Sequence, residues 1–261
     1  MDSDEVQIVR DGGVLTVTLN RPEDQNRLTR DVLVVLQQLV HGLADDDAVQ
    51  AVIITGTGAE FFSMGILNPA VRASYTKDQV LELVRTANRL YDAIEALPQI
   101  VIAALNGAAR AGAAELSLAC DIRLAVAHAT FALPEARWGG FPGAGGPVRL
   151  PALVGRARAL ELICTGREVD ASEMERLGLV LSVHRADRLL TDAQALAASI
   201  AASGPLATRG AKRIMNEHTS AGFAAARALS DALRHALEGS SDVDEGMAAH
   251  REGRAPRFTG R

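Results

Sequence analysis

Gly107-Ala108-Ala109-Arg110-Ala111-Gly112-Ala113-Ala114-Glu115, followed by Pro134-Glu135 and then Pro142-Gly143-Ala144-Gly145-Gly146, is the stretch on which the fold and the chemistry turn. Its small residues read as the start of a helix, with Gly112 in the first turn and Glu115 three positions on, along the same side. Backbone N–H groups at a helix N-terminus lack intrahelical partners, so they can stabilise a developing oxyanion. Glycine at 112 lets a substrate oxygen reach the backbone with no Cβ in the way. Glu115 sits among Ala113, Ala114, Leu116, Leu118 and Ala119. Apolar surroundings of that kind raise a carboxyl group toward neutrality, where general acid–base work is done. Glu135, with Trp138 and the glycine-rich turn after it, supplies a second carboxylate. Two carboxylates near one oxyanion site point to proton transfer at a polarised carbonyl.

On either side of this stretch, strands alternate with helices. Residues 6–9 and Val14–Leu19 read as strands joined by the turn Asp11-Gly12-Gly13. Thr29 caps a helix running to about Ala44. Residues 51–55 form an apolar strand, and a long helix starts at Thr76 or Asp78 and stops before Pro98. Ile100–Leu105 is a buried strand leading into the Glu115 helix. Further strands fall at Ile122–Val126 and 180–183, with helices around 150–165 and 172–177. This alternation predicts an α/β chain with crossover connections. From about Thr191 only helical patterns remain, which divides the chain into a site-bearing region, 1–195, and a helical region, 196–261, for packing or subunit contacts.

Composition narrows the function. Of 261 residues 48% are hydrophobic but only 3% aromatic, so the core must be built from Ala, Val, Leu and Ile. A net charge of −5 without a long basic run argues against nucleic acid and anionic membrane surfaces. Cys120 and Cys164 stand alone in apolar contexts, which fits a reducing compartment and neither a disulfide framework nor a zinc site. The acidic start Met1-Asp2-Ser3-Asp4-Glu5 is unlike a signal peptide, and no apolar run is long enough to span a bilayer. A soluble, cytoplasmic protein is expected. The six histidines show no metal-binding spacing. Gly56-Thr57-Gly58 lacks the third glycine of a dinucleotide fingerprint. Pro142-Gly143-Ala144-Gly145-Gly146 lacks the Lys and Ser/Thr of a P-loop. Ser63 lacks the first glycine of a nucleophile elbow and reads as a core or loop serine. Arg251, Arg254, Arg257 and Arg261 form a basic tail, either solvated or set to meet a phosphate.

Leu19-Asn20-Arg21-Pro22 with Asn26, residues 52–58 with Phe62-Ser63-Met64-Gly65, Asn106-Gly107 through Glu115, Cys120-Asp121-Ile122, and residues 131–146 occur in that order. Together they resemble the crotonase (enoyl-CoA hydratase/isomerase) family over almost the whole chain. The resemblance implies a spiral of repeated ββα units with a C-terminal helical trimerisation region. It implies a homotrimer or a hexamer made of two trimers. The implied substrate is an acyl-CoA thioester, with coenzyme A entering as part of the substrate and no other cofactor or metal. The thioester oxygen would lie in an oxyanion hole of the Ile66 and Gly112 N–H groups. Glu115 would chiefly activate water, and Glu135 would deliver a proton to the α-carbon. Gly143 and Trp138 would face substrate, Trp138 either narrowing the pocket or filling core. Phe258 and Arg261 would reach the coenzyme of a neighbouring subunit.

Departures from the family pattern cluster at the coenzyme end. Met64, Leu67 and Asn68 replace a small residue, an Asp and a frequent Lys, and Arg27 replaces a small residue. These positions surround the adenine in relatives, which implies altered coenzyme recognition with catalysis retained. Arg110 and Ala111 replace an apolar residue and a glycine. Arg110 is expected to pair with a substrate carboxylate or with one of the two glutamates. The expected reaction is hydration of a 2-enoyl-CoA. The alternatives are isomerisation, C–C cleavage or hydrolysis, decarboxylation, or a non-catalytic acyl-binding subunit.

Overall fold

The computed structural model describes residues 4–220, 231–232, 235–236, 238–254 and 256. Strands β1 (Val6–Asp11) and β2 (Val14–Leu19) pair as an antiparallel hairpin. Helix α1 (Arg30–Leu43) follows, with the Thr29 side chain accepting from the Val32 N–H. The next three turns of chain repeat one plan. β3 (Ala51–Gly56), β5 (Ile100–Leu105) and β7 (Ile122–Val126) each enter a six-stranded sheet ordered β1-β2-β3-β5-β7-β10, where β10 is Ser182–His184. Each is followed at once by a short strand, β4 (Phe61–Ser63), β6 (Ala108–Arg110) or β8 (Thr130–Ala132). These build a second sheet that β9 (Val169–Asp170) completes. From β2 to β10 the large sheet is parallel, and β3, β5 and β7 are almost wholly buried. Burial on both faces explains why Val, Ile, Leu and Ala predominate in place of an alternating pattern, Thr55 and Arg123 being the polar exceptions.

The helices stack outside these sheets. α2 (Pro69–Arg72) and α3 (Lys77–Ala96) lie between β4 and β5, and α3 opens with a reciprocal capping box between Thr76 and Gln79. α4 (Gly112–Ala119) is buried along its whole length. α5 (Gly146–Val154), α6 (Arg156–Thr165) and α7 (Ala171–Leu177) follow β8 and β9. α8 (Leu189–Ala201) runs through position 195 and packs on β3 and β5. α9 (Pro205–Ser220) is pinned to the large sheet by Lys212. Its Nζ reaches Asp121 Oδ2 at 2.7 Å and the Gln99 carbonyl at 2.9 Å. The same Oδ2 accepts from the Val101 N–H, and burial still pushes the Asp121 carboxyl above its ordinary range. α10 (Ser241–Glu252) lies across the segment 134–138.

Two expectations are corrected. The small residues before Gly112 do not open the helix, because Ala108–Arg110 is a strand paired with β4 and β8, and the helix starts at Gly112 itself. The helix expected over 150–165 is two helices, broken at Gly155, whose φ of +82° ends one and begins the next.

The loop between β2 and α1 is fastened by Asn26, buried at φ +52°. Its Oδ1 accepts from the Arg21 N–H, and its Nδ2 donates to the Thr57 and Phe61 carbonyls, both at 2.9 Å. Asn26→Ala is expected to cost about 2 kcal/mol, since three half-buried backbone groups lose a partner at once, the Phe61 carbonyl keeping only Asn106. Urea unfolding should show this as a lower midpoint with an unchanged slope.

Candidate active site

Gly65 and the start of α4 bring two backbone segments into close approach at the site. Gly65 has φ +84°, and a Cβ there would lie 2.5 Å from the Arg110 carbonyl oxygen and 2.9 Å from the Gly112 nitrogen. Ile66 is thereby laid against the first turn of α4, and a Cβ on Gly112 would touch the Ile66 side chain at 2.8 Å. Among the described residues, neither the Ile66 nor the Gly112 N–H donates to a backbone carbonyl. The Gly112 carbonyl accepts from the Tyr91 hydroxyl at 2.7 Å. Complete burial, with the Glu115 charge nearby, pushes the Tyr91 phenol well above its ordinary range and keeps it a donor.

Glu115 is 2% exposed, inside a helix of small and apolar residues. Its Oε1 accepts from the Ala144 and Gly146 N–H groups, each at 2.8 Å. Gly146 is the first residue of α5, so this carboxylate sits where a helix presents unpaired donors and a positive dipole end. Apolar burial alone is therefore an incomplete account of Glu115, because two amides stabilise its ionised form. The loop donating those amides is braced from α3. Asn88 Nδ2 holds the Gly143 carbonyl at 2.9 Å. Arg149 Nη1 reaches the Ala144 carbonyl while its fork pairs with Asp92 and Glu95.

Glu135 lies half-buried in the 3-10 turn Pro134–Trp138. It shares with Glu115, Ile66 and Gly112 the wall of one cavity. Leu67, Gly143 and Trp138 line it as well, and Val84, Phe141, Val243 and Met247 extend its apolar surface. A second cavity shares Asn68, Ala111 and Trp138 with the first. Met64, Arg110, Arg137, His250 and Arg254 line it. α10 closes over both cavities: a Cβ on Gly246 would stand 2.1 Å from the Trp138 carbonyl oxygen. The Trp138 and His250 rings meet edge-on at 6.3 Å.

The sequence-derived candidates fall unequally on this geometry. Glu115, Glu135, Ile66, Gly112, Leu67, Gly143 and Trp138 converge on the first cavity, and Met64 and Arg110 on the second. Arg27 lines neither, and its guanidinium is engaged by Asp24 at 2.8 and 2.9 Å. That pairing holds the Asp24 carboxyl below its ordinary range. Arg110 pairs with Glu168 beside β9, which leaves the glutamate half of the expectation unmet, since the pairing is with neither Glu115 nor Glu135. Arg254 pairs with Glu245 and Glu252. Phe258 and Arg261 lie outside the described residues. Ser63 is a buried structural serine whose Oγ accepts from the Gly65 N–H. Sequence reasoning missed Arg72, Val84, Phe141, Val243 and Met247 on the cavity wall, and His250 beside Trp138. Only the spacing of Val243 and Met247, four apart on a helix, offered a signal. Among the described residues no cluster of His, Cys, Asp and Glu could hold a metal ion, and no helix is long and apolar enough to cross a membrane.

The two sheets, built by paired strands from successive turns, define the crotonase fold, and solved structures agree. An enoyl-CoA hydratase from Mycobacterium avium subsp. paratuberculosis K-10 superposes with a TM-score of 0.86 at 30% identity, over 98% of each chain. The sequence model for enoyl-CoA hydratase/isomerase matches residues 10–261. The YngF protein of Bacillus subtilis (strain 168) is 39% identical over 97% of this chain and 96% of its own. A crotonyl-CoA hydratase of Syntrophomonas wolfei is 35% identical over 92% of each. The chain belongs to the enoyl-CoA hydratase/isomerase family.

Gly65→Ala and Gly112→Ala should behave differently. At 65 the obstacle is backbone and φ is positive, so a loss of at least about 2 kcal/mol is expected. At 112 the obstacle is the Ile66 side chain, which can turn away, and the loss should be smaller. Thermal unfolding of the two variants measures the contrast.

Proposed function

We propose that this protein is an enoyl-CoA hydratase, adding water across the double bond of a 2-enoyl-CoA thioester. The observation that carries the reading is the convergence of Glu115, Glu135, Ile66 and Gly112 on one cavity. The thioester oxygen accepts from the Ile66 and Gly112 N–H groups, which stabilise the enolate-like transition state by about 3 kcal/mol per donor. A water lies between the two carboxyl groups. Glu115 takes its proton as the oxygen attacks the β-carbon, and Glu135 delivers a proton to the α-carbon, so one water is added in all. Fixing Glu115 Oε1 by two amides gives this acid–base group one orientation toward the substrate. Relatives that carry hydratase names over nearly their full length support the same reaction.

The coenzyme portion is assigned to the second cavity, where Arg110, Arg137 and Arg254 offer cationic partners for its phosphates and His250 adds a hydrogen-bonding ring. Coenzyme A enters as part of the substrate, and the chemistry requires no further cofactor. The chain is read as a homotrimer or a dimer of trimers. A groove beside the large sheet, with Leu118, Ile122, Leu153, Ile200 and Met215 on its wall, supports a subunit contact there. Light scattering on the purified protein tests this reading, and a monomeric mass overturns it.

Glu115→Gln and Glu135→Gln should each lower kcat on crotonyl-CoA by two decades or more, with thermal stability retained. Loss of the conjugated-enoyl absorbance follows the reaction. Full activity in both variants overturns the assignment.

A further inference from the structure

Ala111, buried just before α4, holds a backbone conformation that suits glycine and not alanine. Its φ is +50° and its ψ is −128°. Among the described residues, Gln25 and Asn26 also have positive φ without being glycine. Gln25, at ψ +32°, lies in the ordinary left-handed well, and asparagine is a residue that tolerates positive φ. Ala111 lies outside that well, where its Cβ makes the conformation costly. Two hydrogen bonds hold it there. Its N–H donates to the Ala132 carbonyl at 3.0 Å, and its carbonyl accepts from the Glu115 N–H at 3.1 Å.

The peptide unit that carries the Ala111 carbonyl also carries the Gly112 N–H. One plane thus serves the thioester oxygen at one end and the main chain of Glu115 at the other. A half-turn of this peptide takes Ala111 from ψ −128° into the left-handed well, ψ about +47°, at almost unchanged φ. Gly112, with no Cβ, accepts the compensating change on the far side. The half-turn relieves the alanine and aims a carbonyl oxygen where the N–H now points. It breaks the bond to Glu115, a single hydrogen bond of the same order as the strain removed. The two orientations are therefore close in free energy. Ala111 also lines both cavities, at the junction where the acyl and coenzyme parts of a thioester meet.

We propose that Ala111 is a positioning residue that makes the oxyanion donor two-state. The strained orientation presents the Gly112 N–H, the relaxed one withdraws it, and a bound thioester draws the peptide into the first. The inference rests on the oxyanion role given to Gly112 in the hydratase reading. Acyl-CoA affinity is then lowered in proportion to the fraction of molecules whose donor is withdrawn. Free coenzyme A has no thioester oxygen and carries no such penalty.

Ala111→Gly removes the strain and leaves both hydrogen bonds in place. Calorimetry with butyryl-CoA, which has no double bond to hydrate, should show binding about threefold to tenfold tighter in the variant. Free coenzyme A should bind the two proteins equally to within about twofold. On crotonyl-CoA, kcat/KM should rise by the same factor as the butyryl-CoA affinity, through a lower KM at unchanged kcat. The methyl group lost from the cavity wall acts in the opposite sense, since it removes a contact with the ligand. Equal or weaker binding of butyryl-CoA by the variant, or the same gain for free coenzyme A, overturns the proposal. The saturated thioester keeps the two readings apart. Tighter butyryl-CoA binding without turnover of crotonyl-CoA by either protein removes the hydratase reading alone. Hydration by the wild type with equal butyryl-CoA affinities in the two proteins removes this inference alone.

Discussion

A carboxylate placed 2% exposed inside an apolar helix must be given hydrogen-bond donors or lose its charge, and much of the site follows from how that demand is met. The Ala144 and Gly146 amides meet it at one oxygen. They can do so only if the chain from Pro142 to Gly145 curls back over α4 and starts a new helix there. That turn is in its own right held by Asn88 and by Arg149, which is anchored to two acids of α3. One buried charge thus ties α3, α4 and α5 together, and the position of Glu115 is inherited from three helices.

The large sheet and the long helices were legible because their signals are local. Residues 51–56, 100–105 and 122–126 are predominantly apolar runs, and Thr29 and Thr76 sit where caps are needed. The second sheet was not legible, since strands of two or three residues carry no period. Ala108-Ala109-Arg110 has helix-forming composition and is a strand only because β4 and β8 lie on either side of it. At the site, Gly112 and Glu115 were legible because one strand–turn–helix unit, β6 to α4, fixes their spacing, while Ile66 was placed by the resemblance and Glu135 by its coupling to Glu115. Arg72, Met247 and the Arg110 partner Glu168 come from segments that meet only after folding, and a single sequence holds no record of such meetings.

The residues that depart from the family pattern take on a physical meaning in this fold. Met64 and Arg110 face a cavity whose cations are partly spoken for by Glu168, Glu245 and Glu252. A phosphate bound there would compete with carboxylates of the protein itself, so attraction at this end is moderated while the backbone donors of the reacting centre stay untouched.

Gly246 carries a consequence for the roof above the reacting atoms. With no room for even a methyl group between α10 and the Trp138 carbonyl, that helix rests on the rim as a flat plank on a sill. Any larger residue would wedge it upward and draw Val243 and Met247 away from the wall of the first cavity, opening that cavity to bulk solvent. Its closure thus hangs on a single hydrogen atom, far along the chain from either acid.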